Sequence, residues 1–169
     1  MTTAQTSTEM TRVEKDSMGE MTVPADVLYG ASTQRAVLNF PVSGRPVPET
    51  IIQAFALLKT AAANANFELG KLSETKRDRI VSACGQVFEG LEEHGGIERH
   101  FPIDIFQTGS GTSTNMNMNE VVANLVCIAN GVAIGSSKDK AYLEPSQRMS
   151  LAILLIETAM VRSIPETST

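Results

Sequence analysis

Between Gln107 and Glu120 the chain reads Gln-Thr-Gly-Ser-Gly-Thr-Ser-Thr-Asn-Met-Asn-Met-Asn-Glu, hydroxyl and amide side chains gathered around two glycines and followed by an apolar helical run. These are residue types that hold an anion. Gly109 and Gly111 let the backbone approach a bound group and reach positive φ where a turn demands it. Ser110, Thr112, Ser113, Thr114 and Asn115 bring side-chain donors, and a helix starting here adds unpaired N–H groups with partial positive charge. Such a cradle suits a carboxylate or a phosphate. The competing account is that Ser, Thr and Asn are ordinary turn and N-cap residues. Spacing alone leans slightly toward that account, because short Gly/Ser/Thr loops are common.

The same stretch carries three asparagines within five residues, which lowers helix propensity. That local cost suits a site with something to hold, although N-terminal capping absorbs part of it. Asn117 and Asn119 are expected on one face of the helix and Met116 and Met118 on another, the methionines filling gaps in a core. His94 and His100 fall in a connection and are expected to be exposed and structural. Cys84 and Cys127 sit far apart in apolar helical patterns and are expected to be buried, reduced thiols. A disulfide or metal role is the weaker alternative, because no ligand cluster accompanies either one.

Several elements must position this loop. Thr11 to Val23 is rich in β-type residues split by Asp16-Ser17-Met18-Gly19, which predicts a small hairpin. A first long helix is expected from Pro48, with Ile51, Ile52, Phe55, Leu58, Ala62 and Ala65 at helical spacing and Gly70 as its closing residue. Ser73 opens a second, with Ile80, Cys84, Val87, Phe88 and Leu91 on one face and an end at Gly95-Gly96. Its charged run Lys76 to Arg79 reads as a solvated side. An extended stretch from Arg99 to Thr108 then leads to the glycine loop. The third helix carries Val121, Val122, Leu125 and Ile128 and stops at Asn130-Gly131.

Composition bounds the rest. The chain has 169 residues, 42% of them apolar and 20% charged, enough for one domain with a real core. With 14 basic and 19 acidic residues the net charge is −5, which offers no basic face to nucleic acid. No run approaches the length of a membrane span, and the start lacks the apolar segment of a signal peptide. A cytoplasmic location is expected. Residues 1–11 read as a disordered start.

The stretch Gly109 to Glu120 resembles the first signature region of the class II fumarases, in the fumarase/aspartase superfamily. Arg12 to Gly19, Val23-Pro24-Ala25-Asp26 and Tyr29 to Arg35 are similar to the opening of that family, and Phe101 to Glu120 follows in the family's order. The resemblance runs over 12–145. It implies a mainly α fold, the N-terminal domain of the fumarase/aspartase architecture with a small β-hairpin and three long helices, the central helical bundle missing. It also implies reversible hydration of fumarate to malate without a metal or other cofactor, in homotetramers whose active sites draw on three subunits. Carried over position by position, Ser110, Gly111 and Thr112 would bind a substrate carboxylate, with Asn115 nearby. Thr33 and Arg35 would shape the same region, or else form a turn and a surface ion pair.

After Glu144-Pro145 the family pattern of a His-Pro-Asn-Asp segment and a Gln-Ser-Ser-Asn-Asp segment gives way to Ser146-Gln147-Arg148-Met149-Ser150. Met149, Ala152, Ile153, Ile156 and Met160 make the tail, 146–169, an expected amphipathic helix. The tail either covers apolar surface or is a reading-frame change. The family's catalytic serine loop, histidine motif and Lys/Asn pair have no counterpart, so no catalytic residue is assigned. The expectation is a truncated fumarase that retains dicarboxylate binding and is inactive alone. Two alternatives stay open: a non-catalytic subunit that joins full-length fumarase chains, and a fragment of an aspartase-type lyase. Exposed helix faces predict poor solubility or self-association.

Overall fold

A computed structural model describes residues 10–135 of the chain. The expected tail helix over 146–169, and nearly all of the expected disordered start, lie outside the described residues. Within them the order is β1 (Thr11–Asp16), β2 (Gly19–Pro24), α1 (Ala31–Asn39), α2 (Glu49–Glu68), α3 (Glu74–Phe88), a 3-10 turn (Glu92–His94), α4 (Ile97–His100) and α5 (Thr112–Ala129). The fold is mainly helical, with one small antiparallel sheet, as expected.

The hairpin forms where the turn residues demand it. Asp16 pairs with Gly19, leaving Ser17 and Met18 as the connection. The Asp16 carboxylate accepts the Met18 amide at 2.8 Å, and Gly19 takes a φ of 115° that a side chain would resist. Arg12, Glu14 and Asp16 alternate onto one face of β1. From there the Arg12 guanidinium donates to the carbonyls of Pro24 (2.6 Å), Val27 (2.9 Å) and Tyr29 (2.6 Å), fixing the path from hairpin to α1. Asp16 reaches α1 itself, accepting two 3.0 Å hydrogen bonds from Arg35.

The three long helices end alike. After α2 the Gly70 amide donates to the Phe67 carbonyl and Lys71 to Asn66. Gly90 donates to Val87 and Leu91 to Gln86 after α3, and Gly131 to Ile128 and Val132 to Cys127 after α5. Each is a Schellman cap, with glycine at positive φ satisfying carbonyls that would otherwise be orphaned.

Two boundaries differ from expectation. The second long helix stops at Phe88 rather than at Gly95-Gly96, because the cap forms at Gly90. Leu91 follows in the left-handed region at φ 55° with its side chain buried in the core; core burial offsets a strain of roughly 1 kcal/mol. In addition, α1 is a helix over Ala31–Asn39 where only a family block and a turn were read.

The core lies where α2, α3 and α5 meet. Ile52, Ala56 and Ala63 face Ile80, Ala83, Cys84 and Val87, and Val121, Leu125 and Val126 close the third side. The expected α2 face is partly corrected: Ile51, Leu58 and Ala65 are exposed, while Ala56, Lys59, Ala63 and Asn66 are buried beside Ile52. Helix α2 is apolar around much of its circumference, so spacing did not single out the inner stripe. Cys84 and Cys127 are buried free thiols, and burial pushes the Cys84 pKa up to about 11.

Candidate functional site

Phe101 leaves α4 and the chain runs extended along residues 45–47, with Val47 donating to Ile103 (3.2 Å) and Ile105 to Arg45 (2.9 Å). Asp104 secures this crossing. Its carboxylate accepts the amides of Ser43 (2.6 Å), Gly44 (2.8 Å) and Phe106 (2.8 Å) and the Ser43 hydroxyl (2.8 Å). Burial alone would push the Asp104 pKa up; the bonds from Phe106, Ser43 and Gly44 outweigh it and bring the carboxyl down to about 2.

The glycine loop follows at once. Gly111 donates to the Thr108 carbonyl at 2.9 Å, closing a tight turn, and takes a φ of 71° as the N-cap of α5. A Cβ on Gly109 or Gly111 would meet nothing within 4 Å, so Gly111 is there for its backbone angle and not for want of space. Thr108 and Thr112 share a hydrogen bond between hydroxyls at 2.9 Å, and Ser110 and Thr112 another at 3.0 Å. Three hydroxyls carry three hydrogens, so two mutual bonds leave one to give outward.

Helix geometry adds donors. Of the first amides of α5, Gly111 is held by Thr108, and Thr114 by the Gln107 side chain at 3.0 Å. The amides of Thr112 and Ser113 have no intrahelical acceptor. Thr108, Gly109, Ser110 and Thr112 are exposed and Gly111 and Asn115 half-buried. The outcome is an exposed group of Ser110 and Thr112 hydroxyls at the positive end of an 18-residue helix, with Ser113 and Thr114 buried behind it, a place that attracts a carboxylate.

Behind the loop, α5 carries a buried polar seam that sequence reading missed. The Asn117 side-chain amide donates to the His100 carbonyl at 2.9 Å, and that of Asn124 to the Leu28 carbonyl at 2.7 Å. Glu120, between them, accepts the amides of Gly30 (2.9 Å), Ser32 (2.9 Å) and Thr33 (3.0 Å). The spacing 117, 120, 124 is a helical face, and that period was the available signal.

This geometry corrects two expectations. Met116 is 38% exposed and Met118 fully buried, with Asn117 buried next to Met118. Alternation by two belongs to a strand; in a helix residues two apart point nearly opposite ways. His100 is not exposed but fully buried. Its Nδ1 accepts the Leu28 amide at 3.0 Å, so Nε2 carries the proton and donates to the His94 carbonyl at 2.9 Å. Burial first of all lowers its pKa.

Ser110, Gly111 and Thr112 therefore come together at one helix start, with Asn115 one turn further. Thr33 and Arg35 are held through α1 instead: the Thr33 amide bonds Glu120, eight residues along α5 from Thr112, and Arg35 pairs with Asp16. A groove of about 220 Å³ between α3 and α5 is lined by Asp78, Arg79, Ser82, Gln86, Leu125 and Ala129, none of them in the loop. Among the described residues no group of three or more His, Cys, Asp or Glu stands where it could hold a metal ion, and no helix is long and apolar enough to cross a membrane.

A family model described as "Lyase" matches residues 19–148. The chain is 55% identical over 115 residues, 68% of its length and 24% of the relative's, to "Fumarate hydratase class II 2" of Pseudomonas aeruginosa. Among solved structures it resembles a recombinant class II fumarase of Schistosoma mansoni, at TM-score 0.67 and 40% identity over 75% of this chain and 26% of that one. It also resembles a fumarate lyase:delta crystallin of Brucella melitensis, at TM-score 0.71 and 39% identity over 85% of this chain and 32% of that one. The chain spans about a quarter of the length of the curated relatives it matches.

Proposed function

This chain belongs to the lyase family that includes the class II fumarate hydratases, and from that premise we propose that it supplies a dicarboxylate-binding wall for the reversible hydration of fumarate to malate. Ser110, Gly111 and Thr112 bind one carboxylate of the substrate, with Asn115 as a neighbouring contact. The observation that carries this reading is the open cluster of Ser110 and Thr112 hydroxyls, 3.0 Å apart, at the amide-rich start of α5.

The chemistry makes that cluster useful. In the malate direction the difficult step removes a proton from the carbon beside a carboxylate. The electron pair left behind spreads onto the carboxylate oxygens, which gain negative charge. Fixed donors aimed at those oxygens stabilise the charged species more than the ground state and so lower the barrier. Expulsion of hydroxide, taken off as water with a second proton, completes the double bond. The base and the acid for these transfers are assigned to none of the described residues, since His100 is buried and bonded at both ring nitrogens. The chain alone therefore binds substrate without turning it over.

Calorimetry with fumarate and an absorbance assay for its disappearance test both halves. Binding without hydration is expected, whereas hydration at an ordinary enzymatic rate of about 1–10³ per second would refute the inactive-alone assignment. A second reading, an interaction subunit that joins fumarase chains, draws on Leu57 and Leu58, both exposed on α2. Failure to co-purify with a full-length class II fumarase would remove it.

A further inference from the structure

We infer that Gln107 is a positioning residue, the brace that holds the Thr108–Gly111 turn in its anion-receiving shape; the inference rests on the dicarboxylate-binding reading of that turn. A glycine N-cap has no side chain with which to cap the helix it begins, and Gly111 makes no such bond. Gln107, four residues earlier, takes over the task from the far side of the turn. Its Oε1 accepts the Thr114 amide at 3.0 Å and the Thr114 hydroxyl at 3.1 Å. Its Nε2 donates to the same hydroxyl at 2.8 Å and to the Asp104 carbonyl at 3.1 Å.

The amide thus ties three points into one frame: the extended segment at Asp104, the entry of the turn at its own backbone, and the third residue of α5. Asp104 is itself immobilised by Ser43, Gly44 and Phe106. Thr114, the other anchor, is buried, while Thr108, Ser110 and Thr112 between the anchors are exposed. Ordering exposed residues costs conformational entropy. A loop held at both ends has less left to lose when a ligand arrives, so the brace appears in affinity. An ordinary helix cap would appear in stability alone.

Two variants separate these roles. Gln107→Leu removes every bond of the brace. Gln107→Glu keeps acceptors for the Thr114 amide and hydroxyl and loses both bonds donated by Nε2, to the Thr114 hydroxyl and to the Asp104 carbonyl, so it retains the cap and gives up the tie to Asp104. Below the thermal transition, Gln107→Leu is expected to bind fumarate about tenfold more weakly than the parent, the value of one net hydrogen bond. Without ligand, its Gly111 and Thr114 amides are expected to exchange with solvent at least about tenfold faster, while Val121 within α5 is unchanged. Gln107→Glu is expected to hold the parent's melting temperature and the slow Thr114 exchange, yet to speed Gly111. Parent-like affinity in folded Gln107→Leu, or unchanged Gly111 exchange in both variants, overturns the inference. A parent chain that binds no fumarate would defeat the proposed function instead, and the ligand-free exchange rates would still decide the role of Gln107.

Discussion

Glu120, in the middle of α5, caps a helix that begins ninety residues earlier in the chain: its Oε2 accepts the Gly30 amide at 2.9 Å. The same carboxylate takes the amides of Ser32 and Thr33, so α1, whose N-cap Gly30 has no side chain, borrows its cap from α5. A negative group at a helix N-terminus is favourable, and a buried one satisfies donors that would otherwise be orphaned. Through this contact the helix that starts at the candidate site is locked to the hairpin side of the molecule.

Glu120→Ala should leave three amides without that acceptor and destabilise the chain by about 2–4 kcal/mol, with Glu120→Gln costing less because one oxygen still accepts. Gly30→Ala acts on the same contact from the other side. A Cβ there would lie 2.5 Å from the Glu14 carboxylate and 3.0 Å from that of Glu120. A loss of about 1–3 kcal/mol is expected. Urea unfolding followed by circular dichroism measures both; parent-like midpoints would show that the cap carries no weight.

Acid should weaken the fold first through His100. The folded pKa lies below the ordinary 6.5, lowered chiefly by burial. The native state then binds fewer protons than the unfolded one, so stability is full above about pH 6.5 and falls as pH drops toward the folded value. A proton on Nδ1 would confront the Leu28 amide that this nitrogen now accepts. The bond to the His94 carbonyl opposes this shift, while the charges of the His94 side chain and Arg99 add to the lowering. Denaturation at pH 7.5 and pH 5.5 should differ in the parent by more than in His100→Gln; equal slopes would contradict the assignment.

Asp104 should hold longer. Its carboxyl is brought down to about 2, so its contribution is complete above the ordinary 3.8 and is lost as pH falls through the folded value. A carboxyl-carbon NMR titration should place the Asp104 midpoint near 2. A midpoint at the ordinary aspartate value would mean that the Ser43, Gly44 and Phe106 bonds do not persist in solution.

Features of local origin were legible in the sequence. The hairpin turn, the helix stops at Gly70 and Gly131 and the start after Ser73 follow from residues within a few positions of each other. The glycine loop was legible for the same reason. What escaped reading is non-local. Helix α1 opens on Ala31-Ser32-Thr33 with no local cap, and its stabilising carboxylate belongs to Glu120. His100 looked like a loop residue because its partner, Leu28, is seventy-two positions away. Gln107 sat in plain view beside the loop, but a reach of seven residues to Thr114 lies beyond the usual capping offsets. The Asn and Met alternation misled because period two was applied to a helix.

Hydroxyl and amide hydrogens at Ser110–Thr112 are proposed to receive a dicarboxylate. Titrating the isotopically labelled full chain with fumarate, and separately with its uncharged diamide, tests this proposal most directly. The amide resonances of Ser110, Thr112 and Ser113 should shift saturably with fumarate, stay still with the diamide, and lose the response in Ser110→Ala/Thr112→Val. Resonances unmoved by fumarate, or moved equally by the diamide, would contradict it.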